Sequence, residues 1–256
     1  MVAPNPVAFS VFGIDVMWYG TLIGIGFILA ILISYYRAPK FGIDQDFILT
    51  LTIWIIPAAL VGARSYYVIF NWQRYAGDIE KILDVRSGGL AIHGGLILCF
   101  IVGYFLCKYY KENFLNVADL VAAVIPLAQS IGRWGNFFNE EAHGYATDLP
   151  WAQIINGVGY HPTFLYESIW CFLLFLFLMY YSNNKKQFTG QIICLYGILY
   201  SIERFFVESF RTDSLMLGPL RQAQVISLVI IAVCTVLYII LKKNYSNSNR
   251  QSKGDF

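Results

Sequence analysis

Val117-Ala118-Asp119-Leu120-Val121-Ala122-Ala123-Val124-Ile125-Pro126-Leu127-Ala128-Gln129-Ser130-Ile131 runs straight into Gly132-Arg133-Trp134-Gly135-Asn136-Phe137-Phe138-Asn139-Glu140-Glu141. The first part has the length and apolarity of a membrane helix. The second places an arginine at its end. Insertion scales set the cost of an arginine at roughly 2.5–3.5 kcal/mol at the bilayer centre, less near an interface. Something must offset that cost, and an anionic ligand is the natural candidate. A guanidinium grips phosphate through two parallel hydrogen bonds. Gly132 and Gly135 let a ligand approach the backbone.

The whole chain has the same character. It is 57% hydrophobic, 17% aromatic and 13% charged, with a mean hydropathy of +0.56. An ordinary soluble domain carries about 25% charged residues, so this composition indicates an integral membrane protein. The net charge of +2 is small and the charges are scattered, which argues against a nucleic-acid partner. The cysteines at 99, 107, 171, 194 and 234 all lie in apolar runs and form no CxxC, so they read as small core residues. No Lys or Arg precedes the first apolar run, so a cleavable signal peptide is not expected there.

Seven spans are predicted, at 17–36, 47–70, 90–107, 117–138, 162–181, 190–210 and 224–241. The fold class expected is an all-α polytopic membrane protein. Residues 1–243 would form one membrane domain, and 244–256 a disordered polar tail. One set of loops holds ten Lys and Arg, Arg37 and Lys253 among them. The opposite set holds Arg74, Lys81, Arg86, Arg211 and Arg221. The bias puts the C-terminus in the cytoplasm and the N-terminus outside. The loop 139–161 has no Lys or Arg and is expected to form a small extracytoplasmic cap. There is no internal repeat of the kind many transporters show.

Ionisable residues inside spans are functional candidates by default, with structural ion pairs as the alternative. Tyr200, Arg204, Glu208 and Arg211 share one helix face. Either Glu208 simply braces its arginines, or the face is an outward-facing basic ladder with a phenol below it. His93 lies in the glycine-rich Gly88-Gly89-Leu90-Ala91-Ile92-His93-Gly94-Gly95. It is either a satisfied core histidine or a general base, and histidine side chains suit that second role near neutral pH. Arg133 and Asn136 share a face, with Glu141 and His143 following. Pro162 opens the fifth span, and Glu167, about one turn in, needs a cationic partner. No zinc pattern, GxSxG elbow or P-loop occurs, and no span contains a lysine.

These motifs together resemble the phosphatidylglycerol–prolipoprotein diacylglyceryl transferase family. The pattern G-R-x-G-N-F-x-N matches Gly132 to Asn139, followed by Glu141 and Gly144. H-G-G matches His93-Gly94-Gly95, and W-Y-G matches Trp18-Tyr19-Gly20. H-P-[ST]-x-L-Y-E matches His161 to Glu167, and R-x-x-[VI]-E-x-x-R matches Arg204 to Arg211 with Tyr200 upstream. There are departures. Glu140 stands where many members have glycine, Ala142-His143 where an aromatic residue often precedes the glycine, and Glu203 where the residue is usually apolar. The loop 147–160 is short.

The resemblance implies transfer of a diacylglyceryl group from phosphatidylglycerol to the thiol of a lipobox cysteine in a prolipoprotein signal peptide. A thioether forms and glycerol 1-phosphate leaves, at the outer leaflet of a bacterial cytoplasmic membrane. The expected roles are His93 as proton acceptor, with Arg133 and Arg204 on the phosphate. Tyr19, Asn136, Glu141, Gly144 and Tyr200 would shape the lipid site, braced by Arg64, Glu167, Glu208 and Arg211. No metal or cofactor is expected. A membrane acyltransferase using lipid or glycerol phosphate, a transporter or channel for an anion, and a seven-helix receptor are the competing readings. The outer placement of the arginines and the apolar inner half weigh against the first two.

Overall fold

The computed structural model describes residues 1–85, 88–212 and 214–254, with side chains to 249. Arg86, one of the loop cations, lies outside the described residues. In chain order the elements are a hairpin of β1 (Val7–Val11) and β2 (Ile14–Met17), then α1 (Trp18–Arg37) and a 3-10 turn at Ala38–Phe41. Then come α2 (Gln45–Phe70), the short α3 (Trp72–Tyr75) and α4 (Ile79–Leu83), α5 (Ile92–Tyr110) and α6 (Phe114–Phe138). A second hairpin, β3 (Gln153–Ile155) and β4 (Val158–Tyr160), precedes α7 (Thr163–Asn184) and α8 (Gln191–Glu208). A third, β5 (Met216–Leu217) and β6 (Leu220–Arg221), leads into α9 (Gln222–Gly254).

The chain is thus mostly helical, and among the described residues six helices are long and apolar enough to cross a membrane: α1, α2, α5, α6, α7 and α9. The seventh expected span corresponds to α8. It is helical, but it has 18 residues and carries Glu203, Arg204 and Glu208, which sets it apart from the six. Two features add to the expected spans. Among the described residues, three short two-stranded antiparallel hairpins connect or precede the helices. At the tip of the first, Phe12 and Gly13 both take positive φ, 50° and 79°, as a tight hairpin turn requires. The last helix also continues to Gly254, into the polar segment where composition argued for disorder. A long apolar helix supplies a ready nucleus, and propagation past its end adds one backbone hydrogen bond per residue.

The chain divides into two compact units, residues 1–34 with 118–256, and residues 35–117. The first unit is organised around α6, α7 and α8. Ala122, Ala123 and Val124 pack with Leu174, Leu178 and Ile192, and Ala30 and Ile33 of α1 close over them. At the glycine of α1 closest to α6, an added Cβ on Gly26 would stand 3.1 Å from the Ala128 backbone. Such close helix approach through small residues is how membrane helices gain packing energy where lipid removes the hydrophobic drive.

Asp119, fully buried in α6, explains how α8 begins. Its carboxylate accepts from the Gly190 and Ile193 backbone N–H groups at 2.8 and 2.9 Å, and pairs with Lys186 at 2.9 Å. It is therefore an N-cap supplied by another helix. One turn below Arg133, Ser130 and Ser168 exchange hydrogen bonds, each hydroxyl donating to the other's carbonyl at 2.8 and 2.9 Å.

The second unit is built on the α2–α5 pair. Gly62 and Gly94 face each other there. A Cβ on Gly62 would stand 2.7 Å from Leu98 Cβ and overlap the Gly94 carbonyl.

Candidate functional site

Glu167 sits one turn into α7, which starts at Thr163 after Pro162. Thr163 Oγ1 donates to the Ala142 carbonyl and anchors that start. The Glu167 side chain is 2% exposed. Its Oε2 lies 2.5 Å from Arg133 Nη2, and its Oε1 accepts from Arg204 Nη1 at 2.9 Å. Arg204 Nη2 also pairs with Glu208 Oε2 at 2.7 Å. Arg133 Nη2 lies 3.4 Å from the Tyr200 hydroxyl, and Tyr196 stacks on Tyr200 with ring centroids 5.6 Å apart. Helices α6, α7 and α8 thus converge through two guanidinium groups on one sealed carboxylate. The arginines themselves keep 22% and 19% of their side-chain surface. Each guanidinium thus holds a buried carboxylate while its side chain stays partly exposed.

Small residues make this convergence possible. An added Cβ on Gly135 would stand 2.6 Å from the Tyr19 ring, so the missing side chain is what seats Tyr19 against α6. Trp18 stacks on Phe138 at 5.2 Å beside it. Trp134 turns to α7, donating its indole N–H to Ser168 Oγ at 3.1 Å. At the end of α6, Asn136 and Asn139 both donate to Glu141 Oε1, at 2.9 and 3.3 Å. Glu140 takes φ 54° and Ala142 φ 57°, a left-handed backbone that glycine favours.

Gly144 then closes against two other elements. Its N–H donates to the His161 carbonyl at 2.9 Å and its backbone bridges to Arg211. A Cβ there would stand 2.7 Å from His161 Cβ and 2.9 Å from the Phe210 carbonyl oxygen. Tyr145 N–H donates to that same Phe210 carbonyl at 3.0 Å. His161 Nδ1 and the Tyr166 hydroxyl lie 3.1 Å apart. The β3–β4 hairpin belongs to this segment, and the chain's first residues join it. The N-terminal ammonium donates to Ala152 O at 2.5 Å, and Val2 pairs with Ile154.

The sequence candidates therefore fall into groups. Arg133, Glu167, Tyr200, Arg204 and Glu208 form one contact network. Asn136 pairs with Glu141, Tyr19 lies on Gly135, and Gly144 joins Arg211. His93 and Arg64 belong to the other unit. His93 is the second residue of α5 and is exposed, with its ring 6.4 Å from that of Tyr66. Arg64 is buried and donates to four backbone carbonyls, those of Lys81, Ile82, Gly88 and Gly89, at 2.5 to 3.0 Å. Its guanidinium also lies over the Tyr75 ring at 5.0 Å. It holds the loop before α5 in place.

Two features escaped the sequence reading, and a third was seen there only as a departure from the family pattern. Arg221 donates to the Glu208 carbonyl and, at 2.7 Å, to the Tyr145 hydroxyl. The Ser130–Ser168 exchange fixes α6 to α7. Glu203 is buried within electrostatic reach of both arginines and Glu167. Ser130, one turn before Arg133, and Ser168, directly after Glu167, are a signal for the second. Nothing local points to the first.

The family model for prolipoprotein diacylglyceryl transferase matches residues 6–240. The chain belongs to that family. It is 53% identical to the phosphatidylglycerol–prolipoprotein diacylglyceryl transferase of Clostridioides difficile, over 94% of this chain and 97% of the relative. Against the enzyme of that name from Finegoldia magna it is 50% identical, over 96% and 99%. Against that of Clostridium novyi it is 48% identical, over 96% and 98%. In this member of the prolipoprotein diacylglyceryl transferase family, the two arginines of the G-R-x-G-N and R-x-x-x-E motifs share one buried carboxylate. The second glycine of the first motif makes room for the tyrosine of W-Y-G.

Proposed function

We propose that this chain moves the diacylglyceryl group of phosphatidylglycerol to the thiol of the lipobox cysteine in a prolipoprotein signal peptide. The observation that carries the reading is the pair of arginines on Glu167, in a chain of this family. The sulfur forms a bond to the terminal glycerol carbon. The carbon–oxygen bond to phosphate breaks, and its electron pair leaves with glycerol 1-phosphate. Two things limit such a step. A free thiol, with a pKa of about 8.5, is only a few per cent thiolate at neutral pH, and the leaving phosphate gains charge.

In this reading His93 accepts the thiol proton, and Arg133 and Arg204 stabilise the growing phosphate charge. Tyr19, Asn136, Glu141, Gly144 and Tyr200 shape the headgroup site. Glu167, Glu208 and Arg211 hold the arginines and the cap in register, and Arg64 holds the loop leading to His93. No metal enters the step, because two guanidinium groups supply the electrostatic work.

The chain in this reading crosses a bacterial cytoplasmic membrane seven times as one domain of residues 1–243, with α8 as the charged seventh span. The N-terminus and the 139–161 cap lie outside, and residues 244–256 lie in the cytoplasm. The ten-to-five bias of loop cations supports that orientation. Charged residues in a span are tolerated when they face the interior and pair with one another, as Arg204 and Glu208 of α8 do.

The test is incubation of the purified protein with phosphatidylglycerol and a lipobox peptide. A mass gain of one diacylglyceryl group on the cysteine peptide, and none on a serine control, is the expected result. Equal labelling of both peptides, or none, overturns the reading. His93→Gln is expected to lower turnover by a factor of about 10²–10⁴. Near-normal turnover would assign the base elsewhere.

A further inference from the structure

Glu203 has no role in the reaction as drawn, yet it is buried beside one of the two arginines. It stands one residue before Arg204 in α8 and is 5% exposed. Both its carboxyl oxygens are buried, and among the described residues they meet no hydrogen-bond or ion-pair partner. Its electrostatic neighbours are Glu167, Arg133 and Arg204. Cys171 of α7 feels it in turn. On its own helix the other titratable side chains, besides Arg204, are Cys194, Tyr196, Tyr200 and Glu208. From α9, the nearest thiol is Cys234 against Gly197, six positions earlier in α8.

Net charge governs how readily this cluster accepts an anion. Arg133 and Arg204 are balanced by Glu167 and Glu208, so those four groups sum to zero. Glu203 is the fifth. Ionised, it makes the cluster net negative, and a phosphodiester anion must approach against that charge. Protonated, it leaves the cluster neutral. An ionised carboxylate away from water and from any donor is also costly in itself. We infer that Glu203 makes lipid binding proton-linked: the phosphate of phosphatidylglycerol is bound by the form in which Glu203 carries a proton. This rests on the transferase reading, since it takes the arginine pair as the phosphate site.

The sign is fixed by the linkage. Below the Glu203 titration the proton is already present and binding is tightest. Above it, binding must take up a proton, and affinity falls about tenfold per pH unit. Thiol ionisation changes turnover in the opposite sense and acts on kcat, so the lipid KM isolates the effect.

The experiment titrates purified protein in detergent with phosphatidylglycerol, calorimetrically, in buffers of different ionisation enthalpy from about pH 5 to 9. Wild type is expected to take up about one proton per lipid at the alkaline end and none at the acid end. Its lipid KM should rise toward alkaline pH. Glu203→Gln holds the neutral form at every pH, so proton uptake vanishes and the rise in KM is abolished. Should the Gln variant fail to fold, Glu203→Asp retains a titrating carboxyl and must retain the uptake. No uptake by wild type at any pH, or equal uptake by wild type and Gln, overturns the inference. Loss of all transfer by wild type would instead overturn the transferase reading.

Discussion

Arg133 and Arg204 differ in how they can be replaced. Each touches Glu167 through one nitrogen, Arg204 adds Glu208 through another, and both side chains stay partly exposed. A lysine at 133 could still reach Glu167, but it cannot offer a second, parallel donor to a phosphate. Arg133→Lys is therefore expected to lower kcat/KM by a factor of about 10²–10³ with the fold intact. Steady-state transfer to a lipobox peptide measures the first and thermal melting in detergent the second. Arg133 and Arg204 stood out in the sequence, because arginine inside a membrane-length helix calls for a partner, and both pair with Glu167. Their common partner could be named only as a carboxylate needing a cation. The reach across three helices is a property of packing. Arg64 was harder still, since its partners are backbone carbonyls that no residue type reveals.

Among elements, the helices were readable because long apolar runs bounded by charges have few other meanings, and the predicted spans agree with the helices to within a few residues, apart from the extended end of α9. The hairpins were not, because two- to five-residue strands give too little alternation to separate from loop. Nor could sequence join Asp119 to the start of α8, 71 residues away. Asp119→Ala removes both that cap and the partner of Lys186. A loss of about 3 kcal/mol is expected, read as a lowered melting temperature. The α2–α5 pair gives a sharper contrast. A Cβ on Gly94 would overlap the Gly62 backbone and Tyr66, whereas one on Gly24 of α1 meets nothing within 4 Å. Gly94→Ala is expected to destabilise by about 1–3 kcal/mol. Gly24→Ala should be neutral or slightly stabilising, by up to about 1 kcal/mol. Melting of the two variants side by side checks both.

For the whole molecule, the open question is which side of the membrane the arginine cluster faces. The five native cysteines lie in helices and are at most partly exposed, so single cysteines introduced in the loops report cleanly. Asp148→Cys, exposed in the proposed cap, is expected to react with a membrane-impermeant maleimide in intact cells. Asn247→Cys should react only after permeabilisation. The reverse pattern would turn the molecule over and remove the outer-leaflet reading.

The sharing of Glu167 has a consequence for how this protein can change over generations. Losing either arginine leaves the other with a whole buried carboxylate, and losing Glu167 leaves two cations facing each other. No single loss of charge among the three leaves the cluster they form with Glu208 balanced, so intermediate sequences of that kind are penalised even where a double change would be tolerated. Positions 133, 167 and 204, scattered over more than a quarter of the chain, are inherited as one character.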